Sequence, residues 1–171
     1  MSHFRITCLR TYGPMAAAIL AVAAGATGVQ AQTLLTQKAL SNEAALSVVN
    51  GALQKCQADG YKISLTLLDA SGLIKIQVRG DGTGPHTLEH SRRKAYTALT
   101  FKRTSGETAK AWAGAATPPP AIEGTVAAQG GVPIKAGNDV IGAIGVSGAP
   151  GGEKDEACAA AGIATIASLL K

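Results

Sequence analysis

The spacing of apolar positions changes several times between Leu40 and Leu170, and each change marks an element. From Leu40 to Asp59, Ala45, Val49, Ala52 or Leu53, and Cys56 recur at helical intervals. Ser41 suits the N-cap, Glu43 the positive end of the helix dipole, and Gly60 the residue just past the end. From Lys62 to Asp69 the period drops to two: Ile63, Leu65 and Leu67 alternate with Lys62, Ser64 and Thr66, predicting a strand with one buried face. Asp69-Ala70-Ser71-Gly72 reads as a turn. Leu73 to Arg79 reads as the returning strand, with Ile74, Ile76 and Val78 on one side and Lys75, Gln77 and Arg79 on the other.

The helical period returns at His86 to Arg103, where Leu88, Ala95 and Leu99 form the apolar stripe and Arg92-Arg93-Lys94 a dense basic run. Thr104-Ser105-Gly106-Glu107 matches a capping box opening a short helix through Trp112. Thr117-Pro118-Pro119-Pro120 predicts a stiff extended link, and Ala121 to Gln129 carries no clear period. Gly130 to Gly148 then reads as a hairpin, its arms built from Val132 and Ile134 and from Val140, Ile141, Ile144 and Val146. Gly137-Asn138 supplies the positive-φ turn. Gly142 and Gly145 weaken that second strand, and their use is expected to be close approach of a helix, a second subunit or a flat ligand. Glu153 to Leu170 predicts a final helix, acidic in its first turn and apolar on more than one side. Together these elements predict a single α+β domain: an antiparallel β-sheet flanked by α-helices.

Composition changes this picture mainly at the N-terminus. In the chain of 171 residues, Arg5 and Arg10 precede the apolar run Met15–Ala24, which is too short to span a bilayer, and Val29-Gln30-Ala31 is a small-x-small cleavage site. Residues 1–31 are therefore expected to be a signal peptide and 32–171 the mature domain, periplasmic or secreted. Losing Arg5 and Arg10 lowers the formal net charge from +5 to +3. That mild excess, with few aromatics, argues against nucleic acid as a partner. No later apolar run is long enough to insert stably in a membrane. Cys56 and Cys158 remain after cleavage; an exported compartment permits a disulfide between them, and two buried thiols fit the same alanine- and leucine-rich surroundings.

The quoted pieces that carry a family likeness are Leu68-Asp69-Ala70-Ser71-Gly72, Arg79-Gly80-Asp81, Arg93-Lys94-Ala95-Tyr96-Thr97-Ala98, Gly130-Gly131-Val132-Pro133-Ile134, Gly142 to Gly148, and Asp155-Glu156. In this order and spacing the chain resembles the GlcG/HbpS-type haem-binding (haem-degrading) family, whose fold also forms the C-terminal domain of some PduO-type corrinoid adenosyltransferases. The resemblance covers about Leu40 to Leu170. It implies an antiparallel sheet with packed helices, a homo-oligomer and, for some members, a bound haem or related tetrapyrrole. It also implies a histidine toward the N-terminal helix; Leu40–Asp59 has none, so that ligand does not carry over to this chain.

Residue chemistry offers candidates. His86 and His90 stand four apart, a spacing that puts two imidazoles on one helix face. Tyr61, Tyr96, Cys56 and Cys158 complete the side chains able to ligate haem iron, since both methionines lie in the leader. Arg79, Arg92, Arg93 and Lys94 could hold the two haem propionates through charge-assisted hydrogen bonds. The same cations suit a small carboxylate substrate without iron. Two readings follow: an exported oligomeric haem- or tetrapyrrole-binding protein using His86 and His90, or a small enzyme or accessory protein of a catabolic pathway acting on a small acid.

Overall fold

The computed structural model describes residues 36–116 and 122–171. The leader and the Pro118–Pro120 link lie outside the described residues. Four strands form one antiparallel sheet in the order β2-β1-β4-β3, with β1 spanning Ser64–Asp69, β2 Ile74–Val78, β3 Gly131–Ala136 and β4 Asp139–Ser147. Helices α1 (Asn42–Ala58) and α4 (Gly152–Ala164) pack on one face, and α2 (Thr87–Phe101) on the other. The short α3 (Ser105–Ala113) leans on α2, and Ala167–Leu169 closes the chain as a 3₁₀ turn. The α+β expectation holds, including the two hairpins and their order.

The two faces of the sheet are chemically different. The α1/α4 face is the apolar core: Val48, Val49 and Ala52 of α1 meet Leu65, Leu67, Ile144 and Val146, all buried. The α2 face carries mostly small and hydroxyl side chains, with Leu68 of β1 packed against Ala95, Ala98 and Ala143. Thr66 Oγ1 lies 2.8 Å from Ser91 Oγ, and Ser64 Oγ lies 2.8 Å from Thr87 Oγ1. Each buried hydroxyl thereby keeps a partner, which burial requires.

This corrects two expectations. β1 is buried on both faces, because Ser64 and Thr66 sit beneath α2 instead of facing water. The buried stripe of α2 is Thr87, Ser91, Lys94, Ala95 and Ala98, while Leu88 and Leu99 are only half-buried. Leu68 of β1 packs against Ala95 and Ala98 of α2, and small side chains dominate that interface because the helix lies close to the sheet. Gly145 shows how close: a Cβ there would fall 2.6 Å from the Ala95 amide nitrogen. Close approach of a helix is thus the use of this glycine.

The last helix is also shorter than its alanine content suggests. It ends at Ala164, where the Thr165 hydroxyl donates to the Gly162 carbonyl at 2.7 Å. It buries one stripe, Asp155, Cys158, Ala159 and Gly162, leaving Leu169 exposed. Thr104 and Glu107 form the expected capping box. Gly137 takes φ 65° in the β3–β4 turn. Cys56 and Cys158 form a disulfide between α1 and α4, with Cα atoms 5.6 Å apart.

Candidate functional site

At the end of the sheet where β1 and β3 begin and β2 and β4 finish, an open cleft of about 850 Å³ is lined by five segments. Tyr61 and Lys62 come from the α1–β1 connection, and Gly82, Thr83 and Gly84 from the loop after β2. His86, Thr87, His90 and Lys94 come from α2, Ala128 and Gln129 from the approach to β3, and Ser147 to Gly152 with Asp155 from the β4–α4 corner. Ser64 ties two of these together, since its hydroxyl lies 3.1 Å from Thr83 Oγ1 as well as 2.8 Å from Thr87 Oγ1.

Both α2 and α4 start at this cleft, and neither has a side-chain N-cap: His86 and Gly151 occupy the cap positions without capping bonds. Two positive helix ends therefore bias the cleft toward negative charge. Their bias is reinforced by lysine and tempered by Glu153 and Asp155 in the first turn of α4.

A buried ion pair closes the cleft floor. Lys94 Nζ donates to Asp155 Oδ2 at 2.7 Å and to the Val146 carbonyl at 3.1 Å, while Asp155 Oδ1 accepts the Ala149 N–H at 3.0 Å. The side chains are 3% and 4% exposed, so the pair must satisfy itself. Burial pushes the Asp155 carboxyl above its ordinary value, with the Lys94 ammonium and the Ala149 N–H pulling against it. Gly130 makes room for the bridge: a Cβ there would lie 2.8 Å from Asp155 Cβ and 2.9 Å from Lys94 Nζ. Three of the sequence pieces that carry the family likeness, around Lys94, Gly130 and Asp155, thus meet at one point.

His90 is the half-buried histidine of the cleft. Its Nδ1 lies 3.2 Å from Ser147 Oγ. Burial lowers its pKa first, and the charges of Lys94, His86 and Arg93 lower it further, so the ring is neutral at pH 7. With the proton on Nδ1 and donated to Ser147, the Nε2 lone pair is free for a metal. The exposed His86 sits one turn back, with ring centroids 6.3 Å apart and planes tilted by 46°. Ser147 carries no sequence signal toward this role beyond ending a β-strand at a glycine-rich corner.

The expected basic cluster is divided by the helix. Lys94 points to the cleft floor. Arg92 is engaged by Glu89, with Nε–Oε2 at 2.8 Å, and holds that carboxyl below its ordinary value. Arg93 donates twice to the Thr125 carbonyl. Arg79 is exposed beyond β2, and none of the three arginines lines the cleft. Consecutive helical residues point 100° apart, so a run of three cations cannot face one ligand. Tyr96 packs beside Gly72, away from the cleft, while Tyr61 lines it. Among the described residues there is no group of three or more His, Cys, Asp or Glu able to hold a metal ion.

Comparison with known proteins decides the family. The sequence pattern of "Haem degrading protein HbpS-like" matches residues 40–164. The chain belongs to the HbpS-like family. The crystal structure of HbpS is similar at 37% identity, covering 80% of this chain and 97% of that one with a TM-score of 0.73. A double mutant of Streptomyces reticuli HbpS gives 36% identity, 81% and 96% coverage and a TM-score of 0.73. The PduOC:heme complex, at 23% identity, 76% and 96% coverage and TM-score 0.66, shares the fold. No curated protein matches the chain. Helix α1 contains no histidine, and among the described residues His86 stands at the N-cap of α2 and His90 in its first turn.

Proposed function

We propose that the mature HbpS-like chain is an exported, homo-oligomeric protein that binds haem or a related tetrapyrrole in the cleft at the start of α2. The observation that carries this reading is His90: a half-buried imidazole on the cleft wall, with Ser147 Oγ 3.2 Å from its Nδ1. The cleft suits the group. Its volume lies in the range of ligand sites, and the glycines of the 82–84 and 148–152 segments leave backbone walls against which a flat ring can lie. His90 would take the iron, with His86 as a second imidazole nearby. When bound, haem would supply iron redox chemistry; the protein's own part is to hold it, to keep His90 neutral and to fix the ring through Ser147.

Family membership and the heme-bound relative of the same fold support the ligand class. The leader pattern of residues 1–31 supports export. Among the described residues both outer strands of the sheet, β2 and β3, are unpaired on one side, and Leu73 and Ile74, just before and at the start of β2, are 67% and 50% exposed, which supports assembly of copies. Among the described residues no helix is long and apolar enough to cross a membrane.

Absorbance titration with ferric haem tests the ligand assignment. His90→Ala should abolish the ligand-shifted Soret band, and His86→Ala should weaken it less. Equal spectra for wild type and His90→Ala would overturn His90 as ligand. A second reading, a small carboxylate bound without iron, is favoured by the two uncapped helix starts; intact binding of such an acid in the double histidine variant would support it.

A further inference from the structure

Once the arginines are placed away from the cleft, its acidic ligand needs another cation, and we infer that Lys62 is the carboxylate anchor of the site. This rests on the haem-binding reading above. The fixed charges on the cleft wall are Lys62, Lys94 and Asp155. Lys94 and Asp155 neutralise each other at 2.7 Å. Among the described residues no carboxylate lies within 4.0 Å of Lys62 Nζ, so its charge is uncompensated.

Lys62 is exposed, but its root is held. A Cβ at Gly148 would lie 3.0 Å from Ile63 Cα and collide with the Lys62 carbonyl, so the β4–α4 corner presses directly on this backbone. Its stem lies along the 80–85 loop, with Nζ 3.1 Å from where a Cβ of Gly82 would stand. Gly82 takes φ 72°, a conformation that keeps a side chain out of that space. The neighbouring Tyr61 ring is covered by Lys154, whose Nζ is 5.4 Å from the ring centroid, adding a second positive group at the same rim. A compact ammonium on a flexible stem suits a propionate, which itself swings on a short chain.

The test uses two probes: ferric haem, and ferric haem whose two propionates are methyl esters. Both are titrated against wild type, Lys62→Ala and Lys62→Arg at low and moderate salt. Lys62→Ala should weaken haem binding by roughly three- to tenfold, the effect shrinking with salt, as for a partly exposed charge pair. Lys62→Arg should retain most of the affinity. The diester should bind all three proteins alike. Equal haem affinity for wild type and Lys62→Ala would overturn the anchor while leaving haem binding standing. An equal loss for haem and diester in Lys62→Ala would also overturn it, since the lysine would then act through packing. Absence of saturable binding of either probe to wild type would overturn both readings.

Discussion

At the scale of single residues, the cleft depends on groups whose charge state the fold controls. Asp155 and Lys94 are nearly fully buried together. Asp155→Ala would leave the ammonium buried without its partner and should cost about 3–5 kcal/mol of stability, read by urea denaturation. The double change Lys94→Met, Asp155→Leu removes both charges and should cost clearly less. A double variant as unstable as the single one would show that the pair's hydrogen bonds to Val146 and Ala149, and not its charge balance, hold the corner. His90 gives a pH prediction. Its folded pKa lies below the ordinary 6.5, so protonation is disfavoured in the folded state. The sign follows: the unfolded chain takes up this proton first, and the stability tied to neutral His90 is present above about pH 6.5 and lost as pH falls through the lowered folded value. Ligand binding through His90 should stay level down to pH 6.5 and decline only below it, because a depressed pKa delays competition by protons. A decline beginning above pH 7 would contradict the depressed pKa.

At the scale of elements, the disulfide joins α1 to α4 across 102 residues of sequence. Cross-linking so long a loop restricts the unfolded chain, so changing both cysteines to alanine should lower stability by about 4 kcal/mol, measured against wild type without reductant. Because the bridge lies on the apolar face and the cleft at the sheet end, ligand affinity of the remaining folded protein should change little. Gly145 makes a second element-level prediction. Gly145→Val would drive a branched side chain into the α2 backbone and should destabilise by about 3 kcal/mol or lose soluble expression. The period of the chain was legible where one face is apolar and the other wet, as in α1; β2 and the β3–β4 hairpin were legible from their β-branched residues and turn glycines, although β4 is buried on both faces. The period misled where a second face is buried by polar side chains. Ser64, Thr66, Thr87 and Ser91 look like a solvated face in sequence and form a hydroxyl seam in the fold. The final helix misled for another reason: alanines are apolar enough to suggest burial but small enough to stay exposed at little cost, as Ala160 and Ala164 do.

At the scale of the whole molecule, the site assembles from segments that are far apart in sequence, which limits what a linear reading can reach. His86 and His90 were legible because helical spacing alone puts them together. Ser147, Lys62 and Asp155 were not, since only the antiparallel pairing of β1 with β4 brings Ser64 opposite Ser147 and carries the α1–β1 connection to the β4–α4 corner. The arginines show the converse: adjacent in sequence, they are dispersed by the helix onto Glu89 and Thr125. The exposed Leu73 and Ile74 beside an open sheet edge set an expectation for assembly. Light scattering of the mature protein should give a multiple of the protomer mass, and Ile74→Lys should shift it toward the protomer; a protomer mass for wild type at micromolar concentration would contradict this.

The most direct measurement is a titration of the purified mature protein with ferric haem, following the Soret band in wild type and in the double variant His86→Ala, His90→Ala. We expect saturable binding with a shifted band in wild type, and loss of that shifted band in the variant. Identical saturable spectra in both proteins would contradict ligation from α2, and no saturable binding in wild type would contradict the haem reading itself.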